Sequence, residues 1–456
     1  MDLLRLPVIG SILRWRRLRP TLQLLMLVLA AAVVAHGLLG PQIGPRNLAT
    51  VTTSIHWRGL LIVGLLIAGN EFCGACPMVL ARDAGRRLFH SRLRWPRALR
   101  GKWLGILLLV AVLYAYELFD VWSLPAATAW IILGYFIAAM AVDMLFAGAV
   151  FCKHVCPIGQ FNFVASTVSP VELRVISRDT CRTCRTADCI KGRRDTANPS
   201  VIRQRGCELG LFLPAKVGNL DCTLCFDCVR ACPHDNIALA VRPPGAELLE
   251  PGRRSGIGTL ARRPDVTLLA VVFVAAALVS AFAMTAPASA VEQRIADTLG
   301  VASEAPALAV LFAVGVLLLP AALVRTTTSH HVVTLLPLGV AVWAAHYAFH
   351  LLTGALTVVP VTQAAAIDAF GWPVLGEPAW TWVGLQPGGV LPIQFGLVIV
   401  GACGSIGLLQ ALAYRDPDAH AARVPVGWAA LVAVLAVAAL WIFAQPMEMR
   451  GVGRLG

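Results

Sequence analysis

The sequence predicts an all-α polytopic membrane protein of about nine transmembrane crossings, with one cysteine-rich α+β domain inserted after the fourth. Three observations predict it. Of 456 residues, 58% are hydrophobic and 14% charged, with a mean hydropathy of +0.73, whereas an ordinary globular chain is about 25% charged. Nine runs of about 20 apolar residues are each long enough to cross a hydrocarbon core of about 30 Å as a helix. Twelve of the thirteen cysteines fall between Cys73 and Cys232, in tight groups spaced like metal ligands rather than like a disulfide scaffold.

The nine runs lie near residues 21–40, 58–78, 103–122, 129–151, 266–286, 306–324, 332–352, 391–413 and 427–445. The first follows Arg14, Arg16, Arg17 and Arg19 and is long enough to span, so it reads as a signal anchor rather than a cleaved leader. Loops rich in Arg and Lys stay cytoplasmic. The loop after the second run carries Arg82, Arg86, Arg87, Arg92, Arg94, Arg97, Arg100 and Lys102, whereas the loops near 123–128 and 353–390 carry no Arg or Lys. This places the N-terminus and the insert inside and the C-terminus outside. The net charge of +13 is thereby explained as a topology signal, and nucleic acid is not expected as a partner. The expected organisation is a four-helix membrane domain over 1–165, an inserted domain over 166–250, a basic linker over 251–265 and a five-helix membrane domain over 266–456.

Within the insert, Cys222, Cys225, Cys228 and Cys232 stand in the spacing C-x2-C-x2-C-x3-C-P, the bacterial ferredoxin run. Three close thiolates wrap one cubane and the fourth reaches a second. The preceding Cys181, Cys184 and Cys189, with Cys207 further on, supply the complementary set. The crosswise rule gives one 4Fe-4S cluster to Cys181, Cys184, Cys189 and Cys232 and another to Cys207, Cys222, Cys225 and Cys228. The 17 residues between Cys189 and Cys207 leave the two remote ligands exchangeable. The insert is thus expected to be a ferredoxin-like α+β domain with two clusters. A matched pair of motifs, NEFCGACP with Cys73 and Cys76 and FCKHVCP with Cys152 and Cys156, ends two helical hairpins on one membrane face. Those four thiols either hold a third 4Fe-4S cluster or act as redox dithiols.

A four-helix membrane segment with Cys-Pro motifs ending two hairpins, followed by a two-cluster domain, resembles the membrane polyferredoxins related to the quinol-dehydrogenase subunit of periplasmic nitrate reductase. The membrane part of the nitrous-oxide-reductase regulator and the cytochrome-oxidase accessory iron-sulfur proteins are similar. The resemblance covers roughly residues 21–245. It implies a multi-pass protein of the bacterial inner membrane that moves electrons between the quinone pool and a redox partner protein, as a component of an oxidoreductase system. That group has C-x3-C-P in both membrane motifs, whereas Cys73 and Cys76 are one residue closer here. An accessory role in metalloenzyme maturation or redox sensing is the alternative. A transporter gated by the cluster domain is a third.

Outside the cysteines, His346 and His350 share a helix face, with His36 and His56 near the same membrane side, as a candidate quinone or haem site. Ordinary hydrogen-bonded histidines are the competing reading, and haem b is not expected. Glu71, Glu117, Asp120 and Asp143 fall in or beside apolar runs, where ionised carboxylates are costly. Of these, Glu117 and Asp120 are the candidate proton acceptors. His154 reads as solvated, His330 and His331 as loop residues, Cys403 as packing, and Trp372, Trp380 and Trp382 as an interfacial belt against membrane lipid. No G-x-G-x-x-G follows a strand, so hydride donors are left to another protein.

Overall fold

The computed structural model describes residues 1–89, 93–198, 201–250, 252–300, 305–318, 320–321, 329–415 and 425–447. The fold is mostly helical. Among the described residues seven helices, rather than nine, are long and apolar enough to cross a membrane: Leu18–Leu39, Leu48–Ile67, Pro125–Leu145, Pro264–Phe282, Val333–Thr353, Pro387–Tyr414 and Val426–Ala444. Side chains such as Leu24, Val28, Leu60, Ile137, Val400, Val434 and Val437 are exposed on these helices. Bare apolar faces of this extent suit lipid rather than water.

The other two runs give shorter apolar helices, each for a local reason. The run at 103–122 forms a helix of only 16 residues, Trp103–Leu118, because Asp120 takes a left-handed φ of 46°. At 1.5 Å per residue it spans about 24 Å. The run at 306–324 forms Ala305–Phe312 and then a π-helical stretch, Ala313–Leu318. Residues 319 and 322–324 of that run lie outside the described residues. Other bounds move too. The second crossing begins ten residues earlier than expected, because Asn47 caps it by accepting from the Ala49 N–H at 2.9 Å. It stops at Ile67, where Gly69 turns the chain with φ of 83°. Several helices open on proline at the first position, which needs no N–H there: Pro125, Pro264 and Pro387. The loop 353–390 contains a further helix, Val358–Phe370.

The chain forms two compact units. One holds Met1–Leu29, Gly64–Gly105 and Tyr135–Val266, so the expected boundary at residue 166 falls inside it. Its small antiparallel ladder pairs Val171–Val175 with Ile237–Val241, Val171 opposite Val241. Leu173 and Leu239 turn inward. Buried Glu247 accepts from the Asn219 N–H at 2.6 Å and from Arg242 at 2.6 Å, and Asn219 donates onward to the Val171 carbonyl at 2.7 Å. These bonds fix the loop that leads into the second cysteine run.

The other unit holds Ala30–Val63, Ile106–Gly134 and Thr267–Gly456. Its centre is Leu336–Thr353, packed against Pro387–Tyr414. Close approach requires glycine at Gly401, where a Cβ would lie 2.3 Å from that of Ala341. Ser405 Oγ accepts from the Leu338 N–H at 3.1 Å, and Trp343 donates to the Phe273 carbonyl at 3.1 Å. Both bonds satisfy groups that lipid could not.

Candidate metal centres

All thirteen cysteines are free thiols. Cys73 lies on the short helix Glu71–Ala75 and Cys76 ends it, followed by Pro77 and the helix Met78–Leu88. Cys152 lies in a π-helical turn, Phe151–Val155, and Cys156 caps the helix Pro157–Ala165. Turns of that kind recur at functional sites. Asn162 donates to Cys73 Sγ at 3.4 Å, so the helix after the second motif reaches the first. The Gly159 N–H donates to Cys156 Sγ at 3.3 Å. Burial pushes the Cys73 and Cys76 thiols up to about 12, and Cys152 repels Cys73 as Cys73 repels Cys76. Cys156 is raised too, by burial and then by Cys152, Cys73 and Cys76. The four thiols form one electrostatic group.

The insert holds two more. Cys181 and Cys184 lie on and just after the helix Arg178–Thr183, Cys189 on Asp188–Lys191, and Cys232 at the end of Asp227–Ala231. Burial raises Cys189 to about 11, with Cys232, Cys181 and Cys184 as the charges it feels. Asn236 joins the remote ligand to the local ones: its N–H donates to Cys232 Sγ at 3.5 Å and its Nδ2 to Cys181 Sγ at 3.3 Å. Half-buried Cys184 is lowered to about 7 by hydrogen bonds from Ala187 and Thr186. The other group is Cys207, Cys222, Cys225 and Cys228, which together line one cavity with Leu209, Leu211 and Phe226. Burial raises Cys228, and the charges it feels are those of Cys225, Cys222 and Cys207. The Leu211 N–H donates to Cys207 Sγ at 3.4 Å.

The backbone around the Cys222 run has a shape that would suit an Fe–S cluster. Asp221, Leu224 and Phe226 have φ of 63°, 45° and 59°, conformations that cost a non-glycine residue about 1–2 kcal/mol each. Left-handed residues between ordinary ones turn successive N–H groups into a concavity, the nest that binds phosphates and Fe–S clusters. Among the described residues no three His, Cys, Asp or Glu are placed to hold a single metal ion.

The Cys73 motif and the Cys222 run touch through backbone. A Cβ on Gly74 would lie 2.9 Å from the Thr223 carbonyl oxygen and 3.2 Å from Cys225 Cα. Fully buried Asn70 donates to the Cys222 carbonyl at 3.2 Å. Buried Arg19 clasps the same place: Nε donates to the Gly74 carbonyl at 3.1 Å, Nη2 to Glu208 at 2.9 Å and Nη1 to Asp227. The Glu208 oxygen also accepts from Arg82 at 2.9 Å. Burial alone would raise the Glu208 carboxyl, but Arg19 and Arg82 hold it near 2. Buried Asp143 accepts from the Phe151 N–H at 2.9 Å and lies 3.8 Å from Arg82 and 3.7 Å from Arg86. It anchors the turn that carries Cys152.

The histidines separate into two kinds. The His36 ring meets Asp368 at 3.1 Å and the Leu48 N–H at 3.1 Å, and the His56 ring meets the carbonyls of Val51 and Ala355 at 3.1 and 3.2 Å. These are satisfied structural histidines. His346 and His350 meet edge to face, 5.3 Å between ring centroids, one turn apart on one helix. Beside them the Arg58 guanidinium lies 4.2 Å over the Tyr116 ring and 6.0 Å from Tyr347, with Glu117 in electrostatic reach. His154, expected in solvent, stacks on Trp95 at 6.0 Å and is lowered to about 4 by burial and by Lys102 and Lys153. His331 stacks on Trp428 at 5.7 Å. The side chain of His330 lies outside the described residues. Glu71 is exposed, Arg46 stacks over Trp380 at 5.2 Å, and Cys403 is exposed on Pro387–Tyr414.

Sequence reasoning missed Arg19, Glu208, Asn70, Asn162, Asn236 and Arg58. Arg19 and Arg82 were absorbed into the count of topology charges. Glu208 had one signal, its position beside Cys207.

No family model matches the chain, and no solved structure matches it. An uncharacterized protein of Methanocaldococcus jannaschii is 26% identical over 200 residues, covering 42% of this chain and 70% of that protein.

Proposed function

We propose that the chain is a membrane electron-transfer protein that holds three 4Fe-4S clusters and passes single electrons between the quinone pool and a separate redox protein. The observation that carries this reading is the spacing of twelve cysteines in three sets of four, with Cys207, Cys222, Cys225 and Cys228 lining one cavity and Asn236 bonded to both Cys181 and Cys232. When bound, such a cluster takes up and releases one electron without breaking a bond. The protein's part is to hold it. Thiolates supply the ligands, and the N–H groups of Gly159, Leu211 and Asn236, with the amides of Asn162 and Asn236, stabilise charge on sulfur. Leu209, Leu211 and Phe226 keep water from the Cys207 group.

On this reading the insert is a two-cluster ferredoxin-like domain, supported by the C-x2-C-x2-C-x3-C-P run. We place it and the N-terminus on the cytoplasmic side, from the Arg-rich loop 82–102. The quinone site is assigned to Arg58, Tyr116, Tyr347, His346 and His350, since an Arg among apolar helices is costly unless it serves a ligand or partner.

Iron and acid-labile sulfide per chain, on protein purified without oxygen, test the proposal. About twelve irons are expected, four per set of four cysteines. Replacing Cys73 and Cys156 together by Ser should remove a third of them. About eight in the unaltered protein would make the membrane-motif thiols dithiols, and none would overturn the reading.

A further inference from the structure

Two of the three cysteine groups are joined by a buried ionic device. The Cys73–Cys76 loop and the Cys222–Cys228 loop meet at Gly74, so closely that no side chain fits between them. Four charged groups close the joint. Arg19 is bonded at once to the Gly74 carbonyl in the first loop, to Asp227 in the second and to Glu208, the neighbour of Cys207. Glu208 in turn is shared with Arg82, six residues past Cys76. Arg19 and Arg82 are 7% and 2% exposed, so water screens these charges little.

The reach of these charges is selective. Glu208 acts on Cys73, Cys76 and Cys152 in one group and on Cys207 and Cys225 in the other. Arg19 acts on Cys225 and lies on the Gly74 carbonyl between Cys73 and Cys76, and Arg82 acts on Cys76 and Cys152 and lies on Glu208 beside Cys207. The charges that bear on Cys181 and Cys189 are those of other cysteines in their own group.

We propose that Arg19, Glu208 and Arg82 form the junction through which electrons pass between the Cys207/Cys222/Cys225/Cys228 cluster and the Cys73/Cys76/Cys152/Cys156 cluster, holding the two loops in contact and setting both reduction potentials. This rests on the cluster reading above. The order of centres follows: the Cys181 group, then the Cys207 group, then the membrane-motif group. In each passage one centre loses one electron, its neighbour gains it, and no bond or proton moves. All three charged residues are positioning residues. A nearby positive charge favours the reduced state of a centre, and a negative one favours the oxidised state.

The test is a redox titration followed by electron paramagnetic resonance on the full chain in detergent, with iron counted on each sample. In Arg19→Gln the midpoints of two centres should fall while the Cys181 group stays in place. In Glu208→Gln the same two should rise. Arg19→Lys, which keeps the charge but not all three bonds, should recover part of the midpoint that Arg19→Gln loses. A merely structural role cannot give shifts of opposite sign at the same two centres. Shifts of one sign in both variants, a shift at all three centres, or none at all would overturn the proposal. If Arg19→Gln loses iron, Arg82→Gln takes its place, with the same downward shift expected and the same outcomes refuting it. An unaltered protein without iron would overturn the cluster reading itself, a result distinct from intact clusters with unmoved potentials.

Discussion

Replacing Asn236 by Ala isolates one cluster from the other two. Asn236 is 6% exposed and its side chain makes three hydrogen bonds: Nδ2 donates to the Ser177 carbonyl at 2.7 Å and to Cys181 Sγ at 3.3 Å, and Oδ1 accepts from the Ser177 N–H at 2.9 Å. The two neutral bonds are worth about 1 kcal/mol each and the bond to a thiolate about 1.5–3 kcal/mol, so the truncation removes about 3–5 kcal/mol. Ser177 is half-buried, and water recovers part of its share, which puts the net cost near the lower figure. About 3 kcal/mol is roughly a hundredfold in retention of whatever the group holds. The backbone bonds of Asn236 to Cys232 and from the Ile176 N–H survive, so the strand that follows keeps its place. The expected result is a fall from about twelve irons to about eight, four being lost with one cluster, and loss of a single wave in the redox titration. Asn236→Asp should lose the same wave, because it keeps the Oδ1 acceptor but sets a carboxylate against the sulfur. Retention of full iron and all waves in both variants would refute the role given to this residue.

Three other outcomes follow from the geometry. Gly74→Ala drives a methyl group into the Thr223 carbonyl and Cys225 Cα, which cannot yield as a side chain would, at a cost of about 1–3 kcal/mol; slower electron passage between two centres, with iron retained, is the expected signature in rapid-mixing spectra. Asp143→Ala leaves the Phe151 N–H without its acceptor and removes a buried carboxylate 3.8 Å from Arg82 and 3.7 Å from Arg86, a loss of about 3–5 kcal/mol that should strip the Cys73 group of its iron. Arg58→Met should slow cluster reduction by a quinol analogue at least about tenfold, about 1.4 kcal/mol of lost stabilisation, while reduction by dithionite stays unchanged. Equal slowing by both reductants would remove Arg58 from any quinone site.

The apolar crossings were legible because a helix in lipid must satisfy its own backbone, so hydropathy and length nearly determine it. Their ends were less so. The second crossing starts at Leu48 among Thr52, Thr53, Ser54 and His56, polar residues that a hydropathy window rejects, because one capping bond from Asn47 and a π-helical turn carry it through. The run at 103–122 looked long enough by composition, yet the backbone of Asp120, not hydropathy, ends it. Spacing suggests the proposed cysteine sets for a related reason. Ligands close in sequence stay close in space whatever the loops do, whereas the remote partners, Cys207 and Cys232, and the meeting of the Cys73 and Cys152 motifs need the fold to bring them in.

Charge was harder to read because one residue can serve two physical ends. Arg19 and Arg82 contribute to the bias of Arg and Lys that suggests which ends of the helices face inward, and that reading accounts for their presence without remainder. It does not predict that both are buried, nor that a single carboxylate, Glu208, is shared between them. Buried arginines need partners, and the partners here come from positions 208 and 227, far along the chain and each next to a cysteine. A topology signal needs only a charge near a helix end, and a free surface arginine would serve as well. Burial against ligand-bearing loops adds a requirement for one residue in one geometry, since lysine could not reach Gly74, Glu208 and Asp227 together. What separates the two roles is therefore the tolerance of each position: Arg16 and Arg17, which are exposed, should accept lysine without effect on any midpoint, and Arg19 should keep the sign of its charge but lose part of the joint.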